Sequence, residues 1–444
     1  MRRLSTDAAG FDEALSALLE WDVSEDDEVN RAARAIVDDV RRRGDEALLE
    51  YTRRFDGFSC ANAEALEIDL ANAARCYHAL GQGDREALDT AAARITRFHE
   101  AQRQSSFEIG DEHGNRLGSR LSPLDRVGVY VPGGQAAYPS TVLMTVIPAR
   151  VAGVGEIVMT VPTPNGDRNP WLLAAVHVAG VQRVFSIGGA QAIAALAYGT
   201  RTIPRVDKIV GPGGAYVAAA KRLVFGPVGI DIIAGPSEIL VIADGTTPLD
   251  WVVLDLFSQA EHDPAAQAIL LSPNRDFLDA VQRRIGELLP TMTRSDVIAR
   301  ALERRGALIA TRDLAEAVDI SNRVAPEHLE LAVADPDALL GRVKHAGAIF
   351  VGAHTAEVLG DYVAGPSHVL PTYGTARFGS PLGVYDFQKR SSVIRCTATG
   401  AAALARIAVP LAMGEGLEAH ARAAVARLTG FDRNHPPADS EADH

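Results

Sequence analysis

A chain of 444 residues, 47% of them hydrophobic, is long enough for two or more domains with full cores, and its class is soluble and globular. The formal net charge of -13 argues against a nucleic-acid or anionic-membrane surface, since both need clustered Lys and Arg, and a small-molecule partner is expected instead. The three cysteines, Cys60, Cys76 and Cys396, lie far apart with no spacing of a zinc knuckle or a redox pair, so reduced thiols are expected.

The opening Met1-Arg2-Arg3-Leu4-Ser5-Thr6-Asp7 lacks the apolar core of a signal peptide, and no apolar run approaches the roughly 20 residues that span a bilayer. A cytoplasmic location is therefore expected. From about residue 12 to 105, apolar positions recur at three- and four-residue spacing, as in Ala32-Ala33-Arg34-Ala35-Ile36-Val37-Asp38-Asp39-Val40, and predict helices. Arg41-Arg42-Arg43 before Gly44 reads as a solvated helix end, where positive charge complements the dipole.

From Asp125 short β-branched runs alternate with Ala-rich segments. Residues 127–131, 156–161, 183–187 and 208–210 read as strands, with helices over 140–152 and 190–198 between them. Continuous apolar strands separated by helices mean a parallel sheet covered on both faces. Each strand ends in a Gly or Pro turn: Pro132-Gly133-Gly134, Pro162-Thr163-Pro164, Gly188-Gly189 and Gly211-Pro212-Gly213-Gly214. Open α/β sheets bind their ligands at such turns. No segment has Gly-x-Gly-x-x-Gly after a strand, so the usual dinucleotide fingerprint is missing, although glycine turns and helix N-termini can cradle a pyrophosphate without it.

After Gly235-Pro236-Ser237-Glu238, a strand over 239–243 leads to the apolar helix that carries Gln259 and His262. A second alternating set follows, with strands over 268–271, 307–310 and 348–351 and helices over 276–288 and 313–323. Two α/β units in tandem are the simplest reading. Beyond Arg395 an Ala-rich region with a helix over 417–428 forms a separate tail, and the last residues, from Pro436, are expected to be disordered.

Four polar clusters carry candidate chemistry. In Ser258-Gln259-Ala260-Glu261-His262-Asp263, Gln259 and His262 sit three residues apart and share a helix face, which suits metal ligands, although a cap and a solvated side chain are the commoner fate of such a pair near a helix end. Ala325-Pro326-Glu327-His328-Leu329-Glu330-Leu331 sets two proton carriers side by side; in a loop both reach one pocket, and otherwise they are solvated residues at a helix terminus. Gly360-Asp361-Tyr362, with Gly365-Pro366-Ser367-His368 a few residues on, offers a carboxylate among histidines, a zinc ligand or an Asx turn. Glu415-Gly416-Leu417-Glu418-Ala419-His420 starts a helix in the tail, and gains interest only if the tail folds onto a pocket, within the chain or across a dimer.

Taken in order, these motifs resemble the histidinol dehydrogenase family over nearly the whole chain. Further supporting stretches are Tyr130-Val131-Pro132-Gly133-Gly134, the run Gly188-Gly189-Ala190-Gln191-Ala192-Ile193-Ala194-Ala195-Leu196-Ala197-Tyr198-Gly199-Thr200, and Ala234-Gly235-Pro236-Ser237-Glu238. The resemblance implies a zinc-containing, NAD-dependent homodimer that oxidises L-histidinol to L-histidine through the aldehyde, the last step of histidine biosynthesis. It implies zinc ligands at Gln259, His262, Asp361 and His420, the last supplied by the partner subunit, and an acid/base pair at Glu327 and His328. It further implies substrate contacts at Ser237, Gln259, His262, His328, Asp361, Glu415 and His420, and cofactor contacts that include Tyr130 and Gln191. Two departures stand out: Gly214 replaces the Asn usual at a cofactor-contacting position, and the stretch from Arg377 to Gly383, with Ser367 before His368, differs from the commonest pattern. Paralogues oxidise other small primary alcohols, which is the alternative reading.

The expected fold is α/β: two Rossmann-like parallel-sheet domains with a helical N-terminal region and a C-terminal tail used in dimerisation. The expected division is a helical extension over 1–25, a first α/β domain from 26–125 plus 239–385, an NAD-binding domain over 126–238, a dimerisation tail over 386–430 and a disordered end over 431–444. No nucleic acid and no membrane are expected as partners.

Overall fold

The computed structural model describes residues 1–20, 24–133 and 138–428; Gly134 of the first glycine turn and the expected disordered end lie outside the described residues. Where a helical extension is expected, the chain opens with a strand, β1 (Arg2–Ser5), before helix α1 (Phe11–Leu19). Parallel pairing with residues 307–310 holds β1 extended, a distant contact that local spacing does not encode. Helices α2 (Ser24–Arg43), α3 (Asp45–Asp56), α4 (Leu70–Ala79) and α5 (Gln82–Ala101) follow, as the spacing predicts. On α2, Ala33, Ile36, Val37 and Val40 are buried, one face at helical period. Next come strands β2 (Phe107–Gly110) and β3 (Arg116–Pro123).

The alternating region begins with β4 (Arg126–Tyr130), α6 (Pro139–Ala152), β5 (Glu156–Val161), α7 (Pro170–Ala179) and β6 (Arg183–Ser186). It continues through α8 (Gly189–Tyr198), β7 (Lys208–Val210), α9 (Ala215–Val224) and β8 (Gly229–Ile230). These strands form a parallel sheet in the order β6-β5-β4-β7-β8.

The second set comprises β9 (Glu238–Ala243), α10 (Leu249–Ala260), β10 (Gln267–Ser272), α11 (Arg275–Leu288), α12 (Ser295–Arg305) and β11 (Gly306–Ala310). It is completed by α13 (Leu314–Val324), β12 (His328–Ala332), α14 (Asp337–Leu340), β13 (Ala348–Val351) and α15 (Glu357–Tyr362). Its parallel sheet runs β1-β11-β10-β9-β12-β13. Apart from β1, the two sheets share one order, in which the third, second, first, fourth and fifth strands lie side by side. In each, the order reverses between the first and fourth strands, and that reversal opens a crevice. Every residue of β9, β10, β11 and β12 is buried, as helices on both faces require.

Helices α2 to α5, grouped on sequence with the sheet after residue 239, add their buried residues to the cores of the other sheet. Ala73, Leu88 and Ile95 cluster with Val127 and Val129, and Ala33, Val37 and Leu48 cluster with Val158 and Phe185.

Contacts divide the chain into two compact units, Met1–Arg103 with Pro123–Phe387, and Gln104–Ser122 with the chain from Gln388. In the second unit, strand β14 (Gln388–Arg395) joins β3 and β2 in a three-stranded sheet, and helices α16 (Ala398–Gly414) and α17 (Glu418–Val425) follow. The buried Asn115 side chain accepts the Thr397 N–H at 3.1 Å and so seats the start of α16. Among the described residues, no helix is long and apolar enough to cross a membrane.

Candidate active site

Within the first unit, side chains tie the carboxyl edge of the β4–β8 sheet to the amino edge of the β9–β13 sheet. Thr141, in the first turn of α6 after β4, lies 3.2 Å by its hydroxyl from Nε2 of His368. The buried Ser367 hydroxyl donates to the Met144 carbonyl at 3.2 Å. The Gly235 N–H, just before β9, donates to the Thr372 hydroxyl at 2.6 Å.

At the amino edge, His328 begins β12 and Glu327 precedes it, in the loop after the left-handed Ala325 that ends α13. Both side chains are buried. The His328 Nδ1–H donates to the Glu238 carbonyl at 3.0 Å, and the Glu238 N–H donates to Glu327 Oε2 at 2.9 Å. One backbone residue at the start of β9 therefore orients both groups. A carbonyl only accepts, so the proton of neutral His328 sits on Nδ1 and the Nε2 lone pair is free to act. Nε2 is buried and has no hydrogen-bond partner among the described residues. Burial lowers the His328 pKa to about 4, so the ring is neutral at pH 7. Burial also raises Glu327 well above the usual carboxylate range, with Glu238, Asp361 and Glu357 adding to the shift.

His328 Nε2 faces Glu357 Oε1 at 3.8 Å and Asp361 Oδ1 at 4.0 Å. Donor atoms of these three residues lie within 4.8 Å of one another, close enough to share a cation. Helix α15 carries both carboxylates one turn apart. Gly360 lets it approach, since a Cβ there would stand 2.7 Å from the Phe350 ring. Glu357 Oε2 accepts the Ser258 hydroxyl at 3.0 Å, while Oε1 is buried without a partner among the described residues. Burial, then the charge of Asp361, raises the Glu357 pKa. The His368 Nδ1–H donates to the Asp361 backbone carbonyl at 3.0 Å, and burial lowers the pKa of that ring also.

The spacing of Gln259 and His262 works out differently from one shared helix face. Gln259 lies fully buried in the last turn of α10, but His262 lies beyond the Glu261 cap and is exposed. The Gln259 Nε2 and His262 Nδ1 atoms are still 3.3 Å apart, and His262 is near enough for its charge to lower both His328 and His368. Gln259 Oε1 is buried with no hydrogen-bond partner among the described residues. An amide oxygen desolvated in this way, beside an imidazole, suits a cation. Ser237 is half-buried immediately before β9. In the second unit, Glu415 caps the C-terminus of α16 and His420 lies on α17, both exposed.

At the carboxyl edge of the other sheet, Tyr130 ends β4 and Gly211 follows β7, on the two sides of the crevice. The Tyr130 hydroxyl accepts the Gly189 N–H at the start of α8 at 3.1 Å, and burial pushes its pKa up to about 12. Gln191 is buried, and its Oε1 has no partner among the described residues. The exposed start of α9, a crevice at the strand reversal and a buried amide oxygen without a partner among the described residues suit a dinucleotide. Gly214 caps α9 at φ -66 and ψ -179, and a Cβ there would meet nothing within 4 Å. Backbone geometry therefore does not require glycine at this position.

Sequence reasoning missed Glu238 and Glu357. Glu357 was legible as the residue four before Asp361 on one helix. Glu238 was not, because its part in the site is played by its backbone.

A model of the histidinol dehydrogenase family matches residues 20–428. The histidinol dehydrogenase of Chromobacterium violaceum is 59% identical over 428 residues, which are 96% of this chain and 99% of that protein. That of Bordetella parapertussis is 58% identical, over 96% of this chain and 97% of that protein. The solved structure of histidinol dehydrogenase from Elizabethkingia anophelis matches 97% of this chain and 98% of its own, at a TM-score of 0.88 and 30% identity. The chain belongs to the histidinol dehydrogenase family.

Proposed function

We propose that the protein oxidises L-histidinol to L-histidine through L-histidinaldehyde, with NAD as acceptor and zinc bound, as a cytoplasmic homodimer completing histidine biosynthesis. The observation that carries this reading is the buried Nε2 of His328, without a hydrogen-bond partner among the described residues, facing Glu357 and Asp361 with its tautomer fixed by Glu238. Relatives 58 and 59% identical along nearly the whole chain favour histidinol over another primary alcohol.

Hydride leaves an alcohol carbon only as its hydroxyl proton is removed. Neutral His328 accepts that proton at Nε2, because burial keeps the ring unprotonated. The aldehyde must be hydrated before a second hydride departs. Glu327, whose proton affinity burial raises, takes the proton of the attacking water. Gln259, His262 and Asp361, with His420 of the partner subunit, would hold zinc, which when bound fixes the substrate's imidazole and amine. Ser237 and Glu415 complete the substrate contacts. Tyr130 and Gln191 flank the cofactor at the carboxyl edge of the first sheet.

A dimer is supported by α16, which keeps Leu404, Ile407 and Leu411 exposed on one face, as a helix that docks on a second copy does. Zinc-loaded protein given L-histidinol and NAD should produce two NADH per histidine formed. NADH from another primary alcohol, with none from histidinol, would overturn the substrate assignment.

A further inference from the structure

A buried polar assembly separate from the His328 cluster surrounds Gly211. The Gly211 N–H donates to Asp231 Oδ2 at 2.7 Å, and the Lys221 ammonium donates to the Gly211 carbonyl at 3.0 Å. Lys221 and Asp231 also pair directly, and each side chain is only 2% exposed. Both peptide groups of a single glycine are thus captured by one buried ion pair. Asp231 directly follows β8, and Lys221 lies on α9, so the pair links the turn to the elements on both sides.

Gly211 needs such a hold. Its φ is +110, and a Cβ there would come within 2.1 Å of the Tyr130 carbonyl oxygen. Here the chain leaves β7, crosses the end of β4 and enters α9, directly at the reversal of strand order. A buried ion pair gains little net stability over apolar residues of the same volume, because desolvating two charges offsets their attraction. Stability alone therefore gives no reason to place one at this turn. What the pair does achieve is a fixed orientation of two peptide groups beside Tyr130.

We propose that Lys221 and Asp231 are positioning residues for the nicotinamide cofactor, acting through Gly211 to hold the 211–214 turn against Tyr130. The proposal rests on the reading that NAD binds at this edge of the sheet. Neither side chain touches the cofactor; they set where the turn and the start of α9 stand.

The test uses zinc-loaded protein and direct binding of NAD without substrate, with histidinol binding measured separately. The double variant Lys221→Met/Asp231→Leu removes both charges together, so no buried charge is left unpaired. It should bind histidinol as the unaltered protein does but bind NAD roughly tenfold or more weakly, because misplaced binding groups lose their orientation. In turnover, the KM for NAD should rise by more than kcat falls. An unchanged Kd for NAD in the folded double variant would overturn the proposal. Should that variant fail to fold, Asp231→Asn keeps one acceptor for the two donors; a weakened Kd for NAD with unchanged histidinol binding supports the proposal, and an unchanged one overturns it. Gln191→Ala separates the two readings. NAD binding weakened by Gln191→Ala but not by the pair variants removes only the positioning role, whereas NAD binding indifferent to Gln191→Ala removes the cofactor's placement as well.

Discussion

By accepting the Nδ1–H of His328 at 3.0 Å, the Glu238 carbonyl leaves Nε2 as the only ring atom able to take a proton. His328→Asn removes that base, and kcat should fall by roughly 10²–10⁴ while the Kd for NAD stays unchanged, as stopped-flow and titration can check. The Glu238 carboxyl presents a separate test. It is buried, accepts the Tyr373 N–H at 2.7 Å, and is raised by burial from 4.5 to about 7. The folded state therefore holds this proton more tightly than the unfolded chain does. The stability it contributes is full below 4.5 and is lost as pH rises through about 7. Glu238→Gln mimics the protonated form, so in urea unfolding it should match the unaltered protein near pH 4.5 and exceed it above pH 7, by up to about 3 kcal/mol. An equal difference at both pH values would contradict this. Gln259, His262, Glu327, His328 and Asp361 were all legible as candidates, because each chemistry-bearing side chain lies in a short polar run. Their partner Glu238 was hidden, since a sequence does not display which backbone groups face a site.

At the scale of elements, α10 was legible from its apolar spacing and β9 to β11 from their uninterrupted apolar runs. Strand β12 was not read, because His328 and Glu330 interrupt its apolar pattern although every residue in it is buried. Strands β2, β3 and β14 were missed for a different reason: they lie largely exposed, β2 is only four residues long, and β14 is mostly polar, with no buried face to impose a longer alternation. Helix α15 depends on Gly360 for its approach to β13. Gly360→Ala should push the helix off the Phe350 ring and draw Asp361 away from His328. A loss of about 1–3 kcal/mol in stability is expected, together with weaker zinc binding by competitive chelation. Zinc affinity equal to that of the unaltered protein would show that α15 needs no such approach.

Across the whole molecule, two sheets with one strand order contribute opposite edges, a carboxyl edge at the crevice beside Tyr130 and Gly211 and an amino edge at the cluster around His328. The tandem α/β units were legible from alternating runs. Strand order and edge were not, because parallel pairing joins residues far apart in sequence, such as His328 with Ile239 and Ala348. The rule that ligands sit at carboxyl ends points to the first sheet and says nothing of the amino edge where His328 lies. If His420 completes a partner's site, inactive Gln259→Ala and inactive His420→Ala chains should regain activity after subunit exchange, because one arrangement then carries an intact site. Activity that stays at zero after verified exchange counts against a shared site.

The most direct measurement is an anomalous-scattering crystal structure with zinc and L-histidinol bound. Zinc is expected on Gln259 Oε1, His262, Asp361 and the partner's His420, with the histidinol hydroxyl within hydrogen-bond distance of His328 Nε2. Zinc held instead by His328, Glu357 and Asp361, with Gln259 unbound, would occupy the base and rule out proton transfer by His328.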